Sequence, residues 1–546
     1  MKKLIYYTLA IAATALSMTS CLGDLDTVPL SETDKTGETA YQNIQDFQRG
    51  LAYIYGSFSL VSQSDPGSSD IAVDDAGQSE FTRQFVVLNE MSADALKCTW
   101  GDSYITDTQN ASWTSTGNAA TIAVYSRGMV TVTRANEFLK RTEGVEMEGL
   151  AGLRAEARFL RAYAYWVLMD LYGNPPFALP ENINGEAPSQ IGRPALAAWI
   201  AGELEELAAD GSDMPEVGSV PYPRATKGAA QALLARLYLN YEVYTDGAET
   251  KWEEARDAAE KVINMSYQPC PNYAELFMQD NGENSNATQE IIFAIAYDRD
   301  KTQSWGGTTH LVSGNLDDAT SNTVAEALGF PKGTHVAPER WNGYHIPSEY
   351  VSQNFELSGV TWGGSGLGYD RANSDKRAFF CNEGNEEAFD NSSTKSGWRC
   401  WKFIAIDSKG ELHTDKNFSS TDFPIIRLAE MYLIYAEAQA RIEGGTTTDA
   451  KAMSYIKILR DRAGLSMPMY LDLDFILKER ACELMLEGHR RTDLIRYGYF
   501  TSMSFSWPYK GGIPGGGVAI DDYRTIYPLL QSDLTENRNL KQNPGY

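Results

Sequence analysis

Residues 153–177, LRAEARFLRAYAYWVLMDLYGNPPF, constrain the fold more than any other stretch of the chain. Leu153, Ala157, Leu160, Ala164, Leu168 and Leu171 recur at steps of three and four, which gathers them on one face of a helix. Arg154, Arg158 and Arg161 repeat along a second face, and Ala162 and Ala164 are small enough for a neighbouring helix to approach closely. Gly173, followed by Pro175 and Pro176, ends the run. The pattern predicts a helix packed on two sides within a larger helical assembly.

Other segments share this period. Residues 41–60 place Ile44, Phe47, Leu51 and Ile54 in register, and helical signal returns at 121–140 and at 194–209, where Pro194 suits a first helical turn. Residues 225–244 carry Gly228, Ala229, Ala232 and Ala235 at close-packing positions, and 252–265 carry Trp252, Ala255, Ala258, Ala259 and Val262. Two such helices joined by a short polar turn resemble one tetratricopeptide-like unit. A second pair, 425–442 and 449–463, flanks the turn GGTTT. Because the period is irregular, a degenerate repeat and a set of unrelated antiparallel helix pairs both remain open. The expected fold class is mainly α: a scaffold of helical pairs at 41–60, 121–265 and 423–500.

Residues 61–120 and 266–422 differ in kind, because Gly, Asn, Ser and Thr displace helical periodicity. Only short strand-like pieces such as 291–296 and 403–406 interrupt them. Five of the eleven tryptophans fall between residues 268 and 420, and Trp100 and Trp113 lie in the earlier loop-rich segment. A long irregular region in a folded body is usually functional, so the binding surface is expected there. Trp398 and Trp401 alternate with Phe403 and are expected in the core, as are the helical Trp166, Trp199 and Trp252.

The formal charge of −26 opposes binding to phosphate backbones, which excludes nucleic acid as the expected partner. Lys2 and Lys3 precede an apolar run and then Thr19, Ser20 and Cys21, the layout of a bacterial secretory signal over residues 1–20. Met18-Thr19-Ser20-Cys21 resembles a lipobox, with Met18 where leucine is usual, so Cys21 is the expected lipidation site and 21–40 a tether. Asp24 and Asp26 resemble an acidic signal for export to the outer face of the outer membrane. Five cysteines remain, an odd number in an oxidising compartment, and spacing alone leaves a Cys381–Cys400 pair open. No zinc-binding cluster, HExxH, GxSxG or P-loop is present in the sequence, and no cofactor is expected.

Five motifs in order, AEARFLRAYAYWVLMDLYGNPPF, RATKGAAQALLARLYL, DFPIIRLAEMYLIYAEAQAR, ILKERACELMLEGHRRTDLIRYG and the terminal NPGY, resemble the SusD/RagB family of outer-membrane lipoproteins over nearly the whole mature chain. The resemblance implies a helical scaffold carrying variable loops. It further implies a non-catalytic surface protein that captures glycan and delivers it to a SusC-like TonB-dependent transporter in the outer membrane. Aromatic faces suit such a ligand because pyranose C–H bonds meet the negative π face, while amides and carboxylates bind the hydroxyl rim.

Trp100 with Asp102, in KCTWGDSY, lies about where family members place one aromatic of the saccharide platform. Trp305 in SWGG, Trp341 and Tyr344 in ERWNGYH, and Trp362 in TWGGSG complete the expected ligand-binding set. The charged segment from Glu479 to Arg496 is expected to form structural ion pairs between helices. A glycoside hydrolase and a peptide-binding member of the same uptake machinery are the competing readings, and paired acids such as Asp74-Asp75 do not separate them. Asp280, Asn281, Glu283 and Asn284 carry calcium-type oxygens without a full loop motif.

Overall fold

The computed structural model describes residues 41–183 and 185–546, so the signal sequence, Cys21 and the tether lie outside the described residues. Its framework is a succession of helices: α1 (Ile44–Ser59), α2 (Phe81–Val86), α3 (Ala119–Arg141), α4 (Leu150–Tyr172), α5 (Arg193–Ala208), α6 (Lys227–Leu239) and α7 (Trp252–Ile263). After a long irregular region containing the short α8 (Gly307–Gly314) come α9 (Leu428–Ile442), α10 (Ala450–Ala463), α11 (Leu473–Glu483) and α12 (Arg490–Arg496). Helix α3 packs on α1 and α4, α4 on α5, α5 on α6, α6 on α7, α7 on α9, and α9 on α10 and α11. This is the neighbour-on-neighbour order of a tetratricopeptide-like array, and both expected pairs, α6 with α7 and α9 with α10, are present. Close packing in the first pair depends on Gly228, where a Cβ would stand 2.3 Å from the Tyr267 hydroxyl.

Helix α4 is buried further than its stripe suggested, because from residue 159 to 172 every side chain is buried. Its second face uses Arg158 and Arg161 to bind Glu203 of α5, at 2.8 and 2.9 Å. Gly173 ends the helix with a φ of +71°, a positive-φ conformation that glycine adopts without a Cβ penalty. The last two carbonyls of the helix accept from the C-terminal tail. Tyr527 N–H donates to Leu171 O, and the Asn543 amide of the NPGY motif donates to Tyr172 O at 2.7 Å. The first and last motifs of the chain therefore meet in space.

Three expectations change. Residues 423–427, expected at the start of a helix, form a strand, β6 (Phe423–Arg427), paired antiparallel with β2 (Ile291–Ile295). Pro424 and the β-branched Ile425 and Ile426 favour that conformation. The strand expected at 403–406 is irregular chain, with only a bridge from Ile406 to Leu412; burial of all four residues, not a ladder, produced its apolar pattern. Residues 61–120 are not simply loops: residues 79–98 are buried throughout, with α2 continuing into a π turn, Val87–Met91. Arg127 of α3 holds this segment by donating to Ser79 O and Val61 O, each at 2.9 Å.

The charged C-terminal segment forms a buried ion-pair network. Arg427, fully buried, meets Glu290 at 2.6 Å, Glu487 at 2.7 Å and Glu483 at 3.1 Å. Arg462 joins Glu290 to Glu483, and Arg377 bridges Asp375 and Glu479. Burial alone would raise the Glu483 carboxyl, but Arg462, Arg427 and Arg377 hold it down to about 2. Glu437, buried between Arg496, Arg441 and Arg480, is likewise held at about 2.

The five described cysteines are free. Cys381 on β4 (Phe380–Cys381) sits opposite Arg399, while Cys400 on β5 (Arg399–Cys400) sits opposite Phe380. The register puts the two thiols on opposite faces of the ribbon, so they do not pair. Among the described residues no group of three His, Cys, Asp or Glu is gathered to hold a metal, and Asn281 spends its amide on Leu276 O and Asp422 O.

Candidate functional site

A two-residue ladder builds the site. Strand β1 (Lys97–Cys98) pairs antiparallel with β3 (Tyr344–His345), and Thr99 N–H extends the pairing to Gly343 O at 3.0 Å. The ladder sets Trp100, just past one strand, beside Trp341, just before the other. Their ring centroids are 6.4 Å apart, and Trp100 Nε1–H donates to Trp341 O at 3.3 Å. Trp341 is tied by its own N–H to Ser313 O of α8 at 2.9 Å.

Trp305 enters from a third direction, on the turn that starts α8, with its centroid 6.3 Å from that of Trp341 and 4.8 Å from Phe418. The turn is laid directly on the chain before α2. A Cβ on Gly306 would stand 2.3 Å from Glu80 Cβ, and one on Gly77 would stand 3.0 Å from Trp305 Cβ. Gly307, at φ +56°, has its Cα against the Tyr297 ring. Its N–H donates to Glu80 Oε2 at 2.8 Å, the same oxygen that accepts from Arg83 N–H. Tyr297 donates to the other Glu80 oxygen. Burial raises the Glu80 carboxyl above its ordinary range, with the Tyr297, Arg83 and Gly307 hydrogen bonds opposing it.

These rings line a cleft of about 700 Å³ together with Arg83, Glu339, Asp74, Asp75, Ala76, Gly77 and Gly67. Arg83 projects from α2 under the wall: its guanidinium lies 5.9 Å from the Trp100 centroid and donates to the Tyr104 hydroxyl at 3.0 Å. Behind the wall, His310 of α8 touches Trp100, Trp341 and Tyr344, with centroids 5.7, 5.9 and 4.7 Å away. Burial and the Arg83 charge push His310 well below its ordinary pKa, so the ring is neutral packing beneath the tryptophans. The cleft therefore offers partly exposed indole faces, a guanidinium and a rim of carboxylates.

Of the residues expected from sequence, Trp100, Trp305 and Trp341 come together on this surface. Asp102 stands exposed at its edge, accepting from the Gln78 amide at 3.2 Å. Tyr344 is buried and bonds His310 at 3.0 Å, so it supports the wall from behind and is not a cleft residue. Trp362 packs on Trp398 at 4.8 Å and does not line the cleft; its flanking glycines mark a loop, which is all that local sequence can report. Arg83 and Glu339 line the cleft without any local sequence pattern to mark them, and Asp74-Asp75, which sequence leaves undecided, lie on its rim. Arg83 stands between Thr82 and Gln84 in FTRQF, with no local signature, and only the packing of α2 against α8 and the approach of its guanidinium to Trp100 and Tyr104 reveal it.

A family model described as the SusD family matches residues 289–546, and one described as "Starch-binding associating with outer membrane" matches residues 59–239. The chain is 33% identical to the starch-binding protein SusD of Bacteroides thetaiotaomicron, over 100% of this chain and 99% of that protein. It is 24% identical to the SusD-like protein P25 of Formosa agariphila, over 74% and 77% of the two chains. Among solved structures, a SusD-like carbohydrate-binding protein of Bacteroides fragilis aligns with a TM-score of 0.67 at 19% identity, covering 91% of this chain and 99% of that one. Surface glycan-binding protein A of Bacteroides uniformis aligns at 0.65 and 17%, covering 92% and 99%. Those two likenesses establish the fold, and full-length identity to a named member establishes the kinship: the chain belongs to the SusD family.

Proposed function

We propose that the protein is a lipid-anchored, outward-facing glycan-binding component of an outer-membrane uptake system. In this reading it captures a starch-type α-glucan in the Trp100–Trp305–Trp341 cleft and passes it uncleaved to a SusC-like TonB-dependent transporter. The observation that carries the reading is the convergence of three indoles from three distant segments on one partly exposed wall, with Arg83 and the acids at hand. Pyranose faces stack on the indoles, Arg83 donates to ring or hydroxyl oxygens, and Asp74, Asp75 and Glu339 accept from hydroxyl groups. The choice of α-glucan rests on the full-length identity to a starch-binding relative.

A hydrolase needs a carboxyl kept protonated near neutral pH beside the scissile bond. The carboxyls that burial pushes up to about 7, Glu90 and Asp422, do not line the cleft. Calorimetry against maltoheptaose, non-starch oligosaccharides and peptides tests the reading, with Trp100→Ala, Trp305→Ala and Trp362→Ala alongside. Maltoheptaose is expected to bind, the first two variants to lose at least about tenfold in affinity, and Trp362→Ala to match the wild type. Wild-type affinity in both Trp100→Ala and Trp305→Ala, or release of reducing ends by pure protein, would overturn it. Co-purification with a large β-barrel from outer membranes tests the partner.

A further inference from the structure

The cleft wall is assembled from two parts positioned by different contacts. Trp100 and Trp341 belong to the β1–β3 ladder, whereas Trp305 sits on the Gly306-Gly307 turn and has no ladder of its own. Helix α8 is bonded to the ladder segment near its C-terminal end, where Ser313 O and Gly314 O accept from Trp341 N–H and Gly343 N–H; at its N-terminal turn, the hydrogen bonds to the α2 segment run through one side chain. Glu80 is fully buried and exposes no oxygen to the cleft, yet its carboxylate accepts from Gly307 N–H and Arg83 N–H, each at 2.8 Å, and from the Tyr297 hydroxyl. The Thr82 hydroxyl in turn donates to the Tyr297 hydroxyl oxygen at 2.7 Å, closing the contact onto α2. The steric fit at Gly306 and Gly77 leaves no room for slack, so the carboxylate fixes where the turn lies along the α2 N-terminus.

From this geometry we infer that Glu80 is a positioning residue for ligand capture: it locks the Trp305 turn to the segment that carries Arg83 and so sets the spacing between Trp305 and the Trp100–Trp341 wall. The inference rests on the cleft being the glycan site. A multivalent aromatic surface depends on its spacing, because a ligand that reaches one ring but misses the next loses the second contact entirely. A neutral amide at position 80 can keep its oxygen on the Gly307 and Arg83 N–H groups only by turning its N–H₂ toward Tyr297, whose hydroxyl must then reverse from donor to acceptor, and it replaces the carboxylate's charge-assisted bonds with weaker neutral ones.

The test is a double-mutant cycle read by maltoheptaose calorimetry on the full chain. Glu80→Gln should weaken binding about tenfold, and the double variant Glu80→Gln/Trp305→Ala should bind no worse than Trp305→Ala alone, because both act through the same ring. Combined with Trp100→Ala, which acts through a different ring, the effects should multiply. Tryptophan emission of the free Glu80→Gln protein should shift to the red as Trp305 leaves its seat on Phe418. Should Glu80→Gln fail to fold, Tyr297→Phe removes one donor from the same carboxylate while keeping the buried ring, and should show a smaller loss with the same non-additivity. Affinity within twofold of wild type in the folded variant, or a loss that multiplies with Trp305→Ala as it does with Trp100→Ala, would overturn the role. If Trp305→Ala and Trp100→Ala weaken binding while Glu80→Gln does not, only the positioning role falls; if Trp305→Ala binds normally, the role and the cleft reading fall together.

Discussion

Gly343 is the position where one methyl group should separate binding from folding. The Trp100 ring lies flat against its backbone: a Cβ there would stand 2.0 Å from Trp100 Cε2, 2.3 Å from Nε1 and 2.4 Å from Cζ2. Carbon atoms in contact sit about 3.5 Å apart, so Gly343→Ala leaves a deficit of roughly 1.5 Å that something must absorb. The backbone cannot, because Thr99 N–H donates to Gly343 O at 3.0 Å and Gly343 N–H donates to Gly314 O at 2.9 Å. The indole must therefore swing out, breaking its Nε1 bond to Trp341 O. If the ring ceases to cover one sugar face, roughly 80 Å² of apolar contact at ~25 cal/mol/Å² is lost, about 2 kcal/mol. That corresponds to about a thirtyfold weaker Kd. The matched control is Gly101→Ala, one residue from Trp100, where a Cβ meets nothing within 4 Å. Calorimetry with maltoheptaose, alongside thermal melts, should show Gly343→Ala much weaker and Gly101→Ala unchanged. A Gly343→Ala protein that folds and binds within twofold of wild type would refute the claim that the ladder sets the Trp100 face.

Two further predictions concern the scaffold. Arg427→Met leaves Glu290, Glu483 and Glu487 buried without their shared cation, and urea unfolding should report a loss of about 3–5 kcal/mol, with glycan affinity of the folded fraction unchanged. Stability should peak at about pH 5: Glu90 and Asp422, with folded pKa values of about 7, take up protons in the folded chain first, so stability rises as pH falls from about 7 toward their ordinary values. Below about 4.5, Glu437 and Glu483, held at about 2 by their arginines, lose their contribution as pH falls toward 2, and thermal melts that climb steadily from pH 4 to 8 would contradict this.

The charged run from Glu479 to Arg496 was legible as structural, since acids and arginines that recur at helical spacing on several helices can neutralise one another once packed. Its partners were not: Arg427 reaches Glu290, Glu483 and Glu487, and Glu290 stands 137 residues before it in the chain. The loop-rich reading of 61–120 failed at residues 79–98 because polar residues there are satisfied by distant groups such as Arg127, and composition counts a satisfied buried polar group as if it were solvated.

By itself the sequence determined the long scaffold helices and their order, because periodicity is local and each amphipathic or small-residue face requires a neighbour. It also carried enough ordered motifs to identify the family. What only the tertiary structure decided is which tryptophans share a surface. Trp100, Trp305, Trp341 and Trp362 all sit among glycines and polar residues, yet three converge and the fourth packs on Trp398. The reason is the pairing of Lys97–Cys98 with Tyr344–His345 and the seating of the Gly306-Gly307 turn on Glu80. Contacts between segments more than two hundred residues apart leave no trace in the local pattern of either one.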